Sequence, residues 1–238
     1  MQTNEDILVA SNIMSAYGQS TILWGVDFKV KKGSITTIMG RNGVGKTTLL
    51  KTIMGLIPIS NGTLTYKDAP VTSLPPYKKA RLGIGYVPQG REIIPKLTVF
   101  ENIKLGMEAL GNKKAKLPEE EIYALFPILK DFRKRLGGNL SGGQQQQLAL
   151  ARILVSDPSL ILLDEPTEGI QPSIAFEIAN VLKTLCREKG ISILLVEQKI
   201  DFASQLTDYY YFMDRGKMLL EGDKESLDPQ EIRKHLSV

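Results

Sequence analysis

The 238-residue sequence contains only one cysteine, one histidine and one tryptophan. A lone cysteine, Cys186, excludes a framework of internal disulfides and is typical of proteins in a reducing compartment. No apolar run approaches the roughly 18 residues that a membrane-spanning helix requires. The opening stretch MQTNEDILVA is polar and acidic, which does not fit a secretory signal. We therefore expect a cytosolic protein with one large domain, or a core with a smaller attached lobe.

The charge of the chain is weakly positive, with a formal net charge of +4 at pH 7. Such a balance permits contact with phosphates or an anionic membrane surface and requires neither. Basic clusters occur at residues 78–81, 112–116 and 130–135, but they are far apart and flanked by acidic residues. Because this pattern is typical of an ordinary solvated surface, we expect no nucleic-acid partner.

Apolar runs and turn residues predict an α/β fold. Short β runs fill residues 7–38, which predicts a small antiparallel sheet followed by a buried strand. Two wholly apolar strands, SLILLD at 159–164 and ISILLV at 191–196, are separated by an amphipathic helix over 172–189. Because buried strands separated by helices are typical of a parallel sheet covered on both faces, we expect such a sheet in the core.

Three further segments complete the architecture. A helix is expected over TTLLKTIMGL, stopping near Pro58. The dipeptide Asn61-Gly62 predicts the turn of another hairpin over 61–71. From about residue 95 to residue 138 the chain is rich in lysine, glutamate and leucine, which predicts a helical lobe.

A complete phosphate-binding loop, GRNGVGKT, occupies residues 40–47 between the strand SITTIM and the following helix. Its glycines let backbone N–H groups approach phosphate oxygens, and the helix directs its positive end to the same place. Lys46 supplies a charge for the β- and γ-phosphates, and Thr47 offers a hydroxyl to Mg²⁺. The residues expected to hold the nucleotide are Gly40, Arg41, Asn42, Gly43, Val44, Gly45, Lys46, Thr47 and Thr48.

A pair of carboxylates follows the apolar strand at 159–164. Asp164 ends this strand, where it can hold Mg²⁺ through Thr47 or through water. Glu165 is one residue further, where it can polarise an attacking water molecule. The phosphate loop makes this interpretation stronger than that of two solvated carboxylates at a strand end.

The stretch SGGQQQQLALAR, residues 141–152, predicts a second anion-binding helix end. Ser141 is a good N-cap, and Gly142 and Gly143 leave backbone amides unobstructed before Gln144. A second phosphate site is redundant within one copy of the chain. Across a two-fold axis it would close over the γ-phosphate that the partner copy holds, so we expect a dimer.

The phosphate loop, the stretch LSGGQ and the stretch LILLDEP follow one another in this order along the chain, which resembles the ATP-binding subunit of an ABC transporter over nearly its whole length. The resemblance implies a P-loop NTPase fold with a mixed or parallel core sheet, an N-terminal antiparallel β subdomain and a helical lobe. Residues 1–94 and 145–238 would form the core, and residues from about 95 to 144 would form the lobe. It also implies that Tyr17 stacks on adenine and that Gln89 contacts Mg²⁺ and moves with a membrane subunit.

The resemblance implies ATP and Mg²⁺ as cofactors, membrane permease subunits as partners, and a second ATP-binding subunit that is identical or related. A periplasmic solute-binding protein would be an indirect partner, and the chain would lie peripherally on the cytoplasmic face of the inner or plasma membrane. The stretches GGNLSGGQQQQLALAR and DEPTEGIQPS look closest to urea-type subunits of the branched-chain amino acid and urea uptake group. We therefore expect import of urea or a related small polar solute.

Three alternatives to this function stay open. A branched-chain amino acid or amide importer would use the same motifs. A soluble nucleic-acid- or ribosome-associated ATPase could share the fold, and a nucleotide-binding scaffold could lack hydrolysis. The carboxylate of Glu165 argues against the scaffold.

Four positions depart from the family pattern. Gln198 stands where the family usually has a histidine, and the single histidine of the chain, His235, is expected in a solvated tail. Because glutamine donates an amide N–H but takes up no proton, we expect Gln198 to sense the γ-phosphate and Glu165 to act as the base. Gln171 replaces a common aspartate in the loop after Glu165, and Gln145 and Gln147 stand where basic residues are frequent.

The segment after Gln89 carries a candidate surface for the permease. Its apolar side chains, in GREIIPKLTVF at 90–100, predict either a groove for a cytoplasmic helix or part of the core of the lobe; they are Ile93, Ile94, Leu97 and Phe100. Trp24, in a strand, and Cys186, on a helix, are expected to be packing residues.

Overall fold

The computed structural model describes residues 5–110 and 117–226. The basic cluster at 112–116 and His235 therefore lie outside the described residues. Among the described helices, none combines the length and the apolar character that crossing a bilayer requires.

An antiparallel sheet forms the N-terminal part of the fold, as the sequence predicts. Its strands are β1 (Asp6–Tyr17), β2 (Ser20–Lys31), β4 (Ile59–Tyr66) and β5 (Ala69–Pro70). They pair in the order β2-β1-β4-β5, so that the long strands β1 and β2 form a hairpin. This hairpin places Tyr17 at its turn.

The hairpin predicted over 61–71 is present, because β4 and β5 pair antiparallel. The part expected of Asn61-Gly62 is wrong, because both residues lie inside β4. The turn between β4 and β5 is formed instead by Lys67 and Asp68, which both have positive φ. Gly62 has a φ of +97°, and a Cβ there would lie 2.2 Å from the carbonyl oxygen of Asn12 on β1. The glycine therefore allows β4 to approach the bulge that β1 forms between Ser11 and Met14, which short-range sequence patterns do not reveal.

A six-stranded sheet forms the centre of the molecule. Its members are β3 (Ile35–Met39), β6 (Ile84–Val87), β7 (Leu160–Asp164), β8 (Ser192–Glu197), β9 (Tyr209–Asp214) and β10 (Lys217–Asp223). The order is β10-β9-β3-β8-β7-β6, and every pairing is parallel except that of β9 with β10. Every residue of β3, β7 and β8 is buried. These three apolar strands bring the phosphate loop, the two carboxylates and Gln198 to one edge of the sheet, since parallel strands all end at the same edge.

Helices cover the sheet. They are α1 (Lys46–Met54), α2 (Pro76–Arg81), α3 (Val99–Leu105), α4 (Glu119–Leu125), α5 (Pro127–Asp131), α6 (Gly142–Leu154), α7 (Pro172–Arg187) and α8 (Ile200–Leu206). Helix α1 ends at Met54, four residues before Pro58, because the following Gly55 has a φ of +85° that lets the backbone turn. Short helices α3 to α5 occupy the predicted helical lobe, whose domain boundaries stay a prediction.

The core is divided between the two faces of the central sheet. One hydrophobic cluster joins the sheet to the lobe helices, α6 and α7, and a second joins it to α1 and the antiparallel sheet. A small third cluster lies between α8 and the strands β3 and β9. Cys186 is buried as expected, and its thiol donates to the carbonyl of Gly33. The packing role expected of Trp24 is wrong in part, because its side chain is 49% exposed on the edge strand β2.

Candidate active site

The phosphate loop, residues 40–47, connects β3 to α1. Gly43 and Gly45 have φ angles of +80° and +113°, which only glycine adopts without strain. The loop borders a cavity of about 370 Å³, large enough for the phosphates of a nucleotide. Its lining residues are Ile22, Asn42, Gly43, Gly45, Lys46, Thr47, Thr48, Gln89 and Glu165.

Lys46 is buried in this cavity and already surrounded by oxygen atoms. Its Nζ donates to the carbonyl oxygens of Gly40 and Arg41, both at 2.9 Å. The same ammonium lies 3.1 Å from Oε1 of Glu165, in a pair with side-chain exposures of 4% and 12%. A buried charge needs such partners, and a phosphate oxygen is a direct competitor of the Glu165 carboxylate for this ammonium.

Asp164 lies below the phosphate loop at the end of β7. Its Oδ1 accepts a hydrogen bond from Thr47 Oγ1 at 3.0 Å, and its Oδ2 accepts one from Tyr86 Oη at 3.4 Å. Burial raises the pKa of Asp164 above its ordinary value, and the charge of the adjacent Glu165 raises it further. A cation beside this carboxylate would favour its charged form.

The donors around Asp164 fit a magnesium ion. Within the described residues, no lysine or arginine nitrogen lies within 4.0 Å of the Asp164 carboxylate, although only 1% of the residue is exposed. The hydroxyl of Thr47 is bonded to this carboxylate, and Gln89 lines the same cavity as Thr47. Carboxylate, hydroxyl and amide oxygens are the hard ligands that Mg²⁺ takes in nucleotide sites.

Glu165 reaches the cavity because its backbone leaves the strand direction. Its φ is +45°, an uncommon value for a residue with a side chain. The N–H of Glu165 donates to the carbonyl of Val196 on β8, and its own carbonyl accepts from Glu168. These bonds hold the strained backbone and direct the carboxylate towards Lys46.

Gln89 follows β6 and lines the cavity, but its amide is already bonded. Nε2 of Gln89 donates to Oε2 of Glu168 at 2.9 Å. Glu168 belongs to residues 165–171, which we call the seam loop. This bond uses the amide nitrogen, whereas a metal ion would bind the amide oxygen Oε1, so the contact with Glu168 fixes the side chain without occupying the metal-binding atom.

Gln198 lies directly after β8 with an exposed side chain, and it is absent from the lining of the cavity. The residue before it, Glu197, is only 2% exposed. Its Oε1 accepts from the backbone N–H groups of Gln198 and Lys199, at 2.9 and 3.0 Å, and its Oε2 accepts from Thr167 Oγ1 at 2.8 Å. Glu197 thus joins the segment that carries Gln198 to the seam loop.

Glu197 and Ile22 are site residues that the sequence alone did not identify. A glutamate at the end of a strand is normally solvated, so nothing local indicated that Glu197 is buried. Ile22 lines the cavity beside Gly45, where its Cγ2 lies 3.5 Å from the position of a Cβ. Its place in the alternation of β2 could have indicated only that it faces away from the buried Leu23.

The signature end, residues 141–144, begins α6 outside the phosphate cavity. Ser141 Oγ accepts from the N–H of Gln144, and Gln144 Oε1 accepts from the N–H of Ser141 at 3.0 Å. This capping box was expected in part, since Ser141 is the N-cap. None of the four residues lines the cavity, and neither does Tyr17, which is 50% exposed. One copy of the chain therefore brings together the phosphate loop, Gln89 and Glu165, and leaves the signature end facing elsewhere.

The apolar side chains expected to receive a permease helix are half-buried. Ile93 packs against the core of the lobe, and the Arg133 guanidinium lies 4.1 Å above the ring of Phe100. Ile94 and Leu97 are likewise of intermediate exposure. The docking groove stays a prediction.

Comparison with known proteins identifies the family. A sequence model of the family described as "ABC transporter" matches residues 23–168. The chain belongs to this family. It is 37% identical over 213 residues to a probable branched-chain amino acid transport ATP-binding protein, LivF, of Archaeoglobus fulgidus, covering 90% of each chain. It is 36% identical over 214 residues to the high-affinity branched-chain amino acid transport ATP-binding protein BraG of Pseudomonas aeruginosa, covering 90% of this chain and 91% of that one.

A solved structure has the same fold. It is the dimeric structure of an ATP-binding cassette in a post-hydrolysis state bound to ADP and Pi, with a TM-score of 0.82 and 27% identity, covering 92% of this chain and 100% of that chain. The predicted fold class, an ABC ATPase cassette with an antiparallel β subdomain, is confirmed, and the chain is an ATPase. The expected specificity for urea is not confirmed, since both relatives are named for branched-chain amino acid transport.

Proposed function

We propose that this chain is the ATP-hydrolysing subunit of an importer for branched-chain amino acids or related amides, rather than for urea. The names of the two relatives support this substrate class, and each is matched over nearly its whole length. The subunit would bind peripherally to permease subunits on the cytoplasmic face of the membrane, and a periplasmic solute-binding protein would deliver the solute from the other side.

Two ATP-binding subunits would enclose the nucleotide between them. In one copy the signature end lies outside the phosphate cavity, although its N-terminal amides suit a phosphate. A partner copy, or a related ATPase subunit, would place its signature end over the γ-phosphate of the first, and Tyr17 would stack on the adenine. The dimeric form of a similar cassette with ADP and Pi supports this arrangement.

Lys46 and Glu165 would exchange partners when ATP binds. The β- and γ-phosphates would take the ammonium that Glu165 now neutralises at 3.1 Å. The released carboxylate of Glu165 then accepts a proton from the water that attacks the γ-phosphorus, as the bond to the departing ADP breaks. The same contact that stabilises Lys46 would thereby keep the base inactive until a phosphate arrives.

Thr47, Asp164 and Gln89 would hold Mg²⁺, which neutralises phosphate charge when it is bound. Gln89 would bind the ion through its amide oxygen, while its Nε2 donates to Glu168 in the seam loop. Gln198 would donate its amide N–H to a γ-phosphate oxygen. Since glutamine takes up no proton, proton transfer would be left to Glu165.

The observation that carries the proposed hydrolysis mechanism is the Lys46–Glu165 contact inside the cavity formed by the phosphate loop. The test is uptake of labelled leucine and labelled urea by proteoliposomes that contain the purified transporter complex, its binding protein and Mg-ATP. We expect leucine uptake and no urea uptake by the wild type. The variant Glu165→Gln should bind ATP and form a stable dimer, yet hydrolyse ATP at least a hundredfold more slowly and transport neither solute.

Lys46→Ala is the matched control, because it should lose ATP binding itself and therefore form no dimer. Urea uptake without leucine uptake would refute the proposed substrate class. A Glu165→Gln variant that hydrolyses ATP at the wild-type rate would refute the proposed mechanism.

A further inference from the structure

The turn that follows Gln89 is strained and held from outside. Gly90, Arg91 and Glu92 have consecutive φ angles of +81°, +70° and +45°, and residues with side chains adopt such a conformation only under constraint. The constraint is Arg152 of α6, whose Nη1 donates to the carbonyl of Glu92 at 2.8 Å and whose Nη2 donates to that of Arg91 at 3.2 Å. The direction of the Arg91 side chain is therefore set by its backbone.

This direction takes the Arg91 guanidinium to the signature end. Both of its Nη atoms lie 3.2 Å from the position that a Cβ on Gly142 would occupy. Its Nη2 donates to the carbonyl oxygen of Glu168 in the seam loop at 2.9 Å. A charged guanidinium thus lies beside the first residue of α6, between the signature end and the seam loop.

The surroundings leave the charge of Arg91 unneutralised. The carboxylate of Glu168 accepts a hydrogen bond from Gln89. Arg91 donates to the backbone carbonyl of Glu168 and not to its carboxylate. Over residues 5–110 and 117–226, no carboxylate oxygen lies within 4.0 Å of the Arg91 guanidinium. The positive end of α6 adds to the same field. An anion at this place would be attracted by both, and a guanidinium binds phosphate oxygens with two parallel hydrogen bonds.

We propose that Arg91 contacts the terminal phosphate of the nucleotide bound by the other copy of the chain, and so forms part of the ATP site across the interface. This inference rests on the proposed ATP-bound dimer. The role of Arg91 is to bind and neutralise phosphate charge, and it takes no part in proton transfer. Arg91 follows Gln89 by two residues, so one short segment would serve two nucleotide sites. Gln89 would contribute to the site of its own copy, and Arg91 would contribute to the site of the partner copy.

The experiment compares two mixed pairs that contain the same substitutions in different arrangements. All copies carry Glu165→Gln, so that ATP is not consumed, and association is followed by energy transfer between labelled copies in Mg-ATP. In the first pair, one copy carries Lys46→Ala and the other carries Arg91→Gln. In the second pair, one copy carries both substitutions and the other carries neither.

If Arg91 acts across the interface, the only working phosphate loop faces an intact arginine in the first pair and a glutamine in the second. We therefore expect the first pair to associate at least tenfold more tightly than the second. Equal association of the two pairs, or tighter association of the second, would overturn the proposal.

Three controls separate this result from other causes. Arg91→Gln should leave the affinity of the monomer for ATP within twofold, because its own phosphate loop is untouched; a larger loss would also overturn the proposal. Arg91→Lys should restore part of the association. Arg215→Gln, at a side chain that is 94% exposed, should change nothing. If Glu165→Gln alone shows no ATP-dependent dimer, the proposed function fails together with this inference, whereas a normal dimer insensitive to Arg91 refutes the inference alone.

Discussion

Replacing Glu197 by glutamine tests whether a buried carboxylate organises the loops of the active site. Glutamine keeps the shape of the side chain and removes the charge. The carboxylate accepts three hydrogen bonds of 2.8 to 3.0 Å, two from backbone N–H groups and one from Thr167. In Glu197→Gln the amide oxygen can still accept the two backbone bonds, and the amide nitrogen can donate to the Thr167 hydroxyl.

The expected loss of stability follows from the change in these bonds. A hydrogen bond to a charged group contributes about 1 kcal/mol more than a neutral one. Three such bonds in a site that is 2% exposed give a loss of about 2–3 kcal/mol in the free energy of unfolding. Urea denaturation should show this loss without a change in the slope of the transition.

The same substitution should slow catalysis. Because Glu197 fixes the backbone of Gln198 and touches the seam loop, a displaced amide would no longer meet the γ-phosphate. We expect kcat to fall about tenfold with the KM for ATP unchanged within twofold, since small misplacements of positioning groups cost up to about 100-fold. Gln198→His, which keeps a donor at this place, should be tolerated, and the exposed Glu188→Gln should behave as the wild type.

The reasoning would be refuted by a Glu197→Gln protein with the stability and kcat of the wild type. It would also be refuted by a rise in KM with kcat unchanged, because that result would place Glu197 in nucleotide binding.

Two further substitutions test buried polar groups away from the phosphates. Within the described residues, Oε1 of Gln147 is buried without a hydrogen-bond partner, while its Nε2 donates to Glu177 at 3.1 Å. The substitution Gln147→Arg removes the unpaired oxygen and should raise the free energy of unfolding by about 1 kcal/mol. Calorimetry should show this as a rise in Tm of about 2–4 °C. A lower Tm would contradict this expectation. Lys79 is fully buried with Nζ donating to Ile53, and burial lowers its pKa to about 8. In the unfolded chain the pKa of Lys79 is higher, so the folded protein gives up its proton first as the pH rises. The free energy of unfolding of the wild type should therefore rise relative to that of Lys79→Met by about 3 kcal/mol between pH 8 and pH 10.5, as measured by urea denaturation. A difference that does not change with pH would refute the lowered pKa of Lys79.

Features encoded by short stretches of sequence could be predicted. The phosphate loop carries its glycines, its lysine and its helix within eight residues, and the apolar strands β7 and β8 place Asp164 and Gln198 at the same edge of the sheet. Asp164 and Thr47 are 117 positions apart in the chain and share a hydrogen bond, because Asp164 ends one and Thr47 follows another of the parallel strands that end at the same edge of the sheet. The roles assigned to these residues stay proposals.

Features that depend on packing between distant segments could not be predicted. Gln89 is bonded to Glu168, 79 positions away, and no property of either residue indicates this. The burial of Glu197 depends on the seam loop covering it, and the strained turn of Arg91 depends on Arg152 from α6. The Asn61-Gly62 pair shows the converse, because a local turn signal is overridden by the antiparallel pairing of β4 with the bulge in β1.

The most direct test of the account is a structure of the Glu165→Gln variant with Mg-ATP. The account predicts two copies related by a two-fold axis, with the backbone amides of Gly142 and Gly143 of one copy within hydrogen-bond distance of the γ-phosphate on the other copy's Lys46. A structure in which ATP and Mg²⁺ fill the phosphate loop while every signature end faces solvent would contradict it.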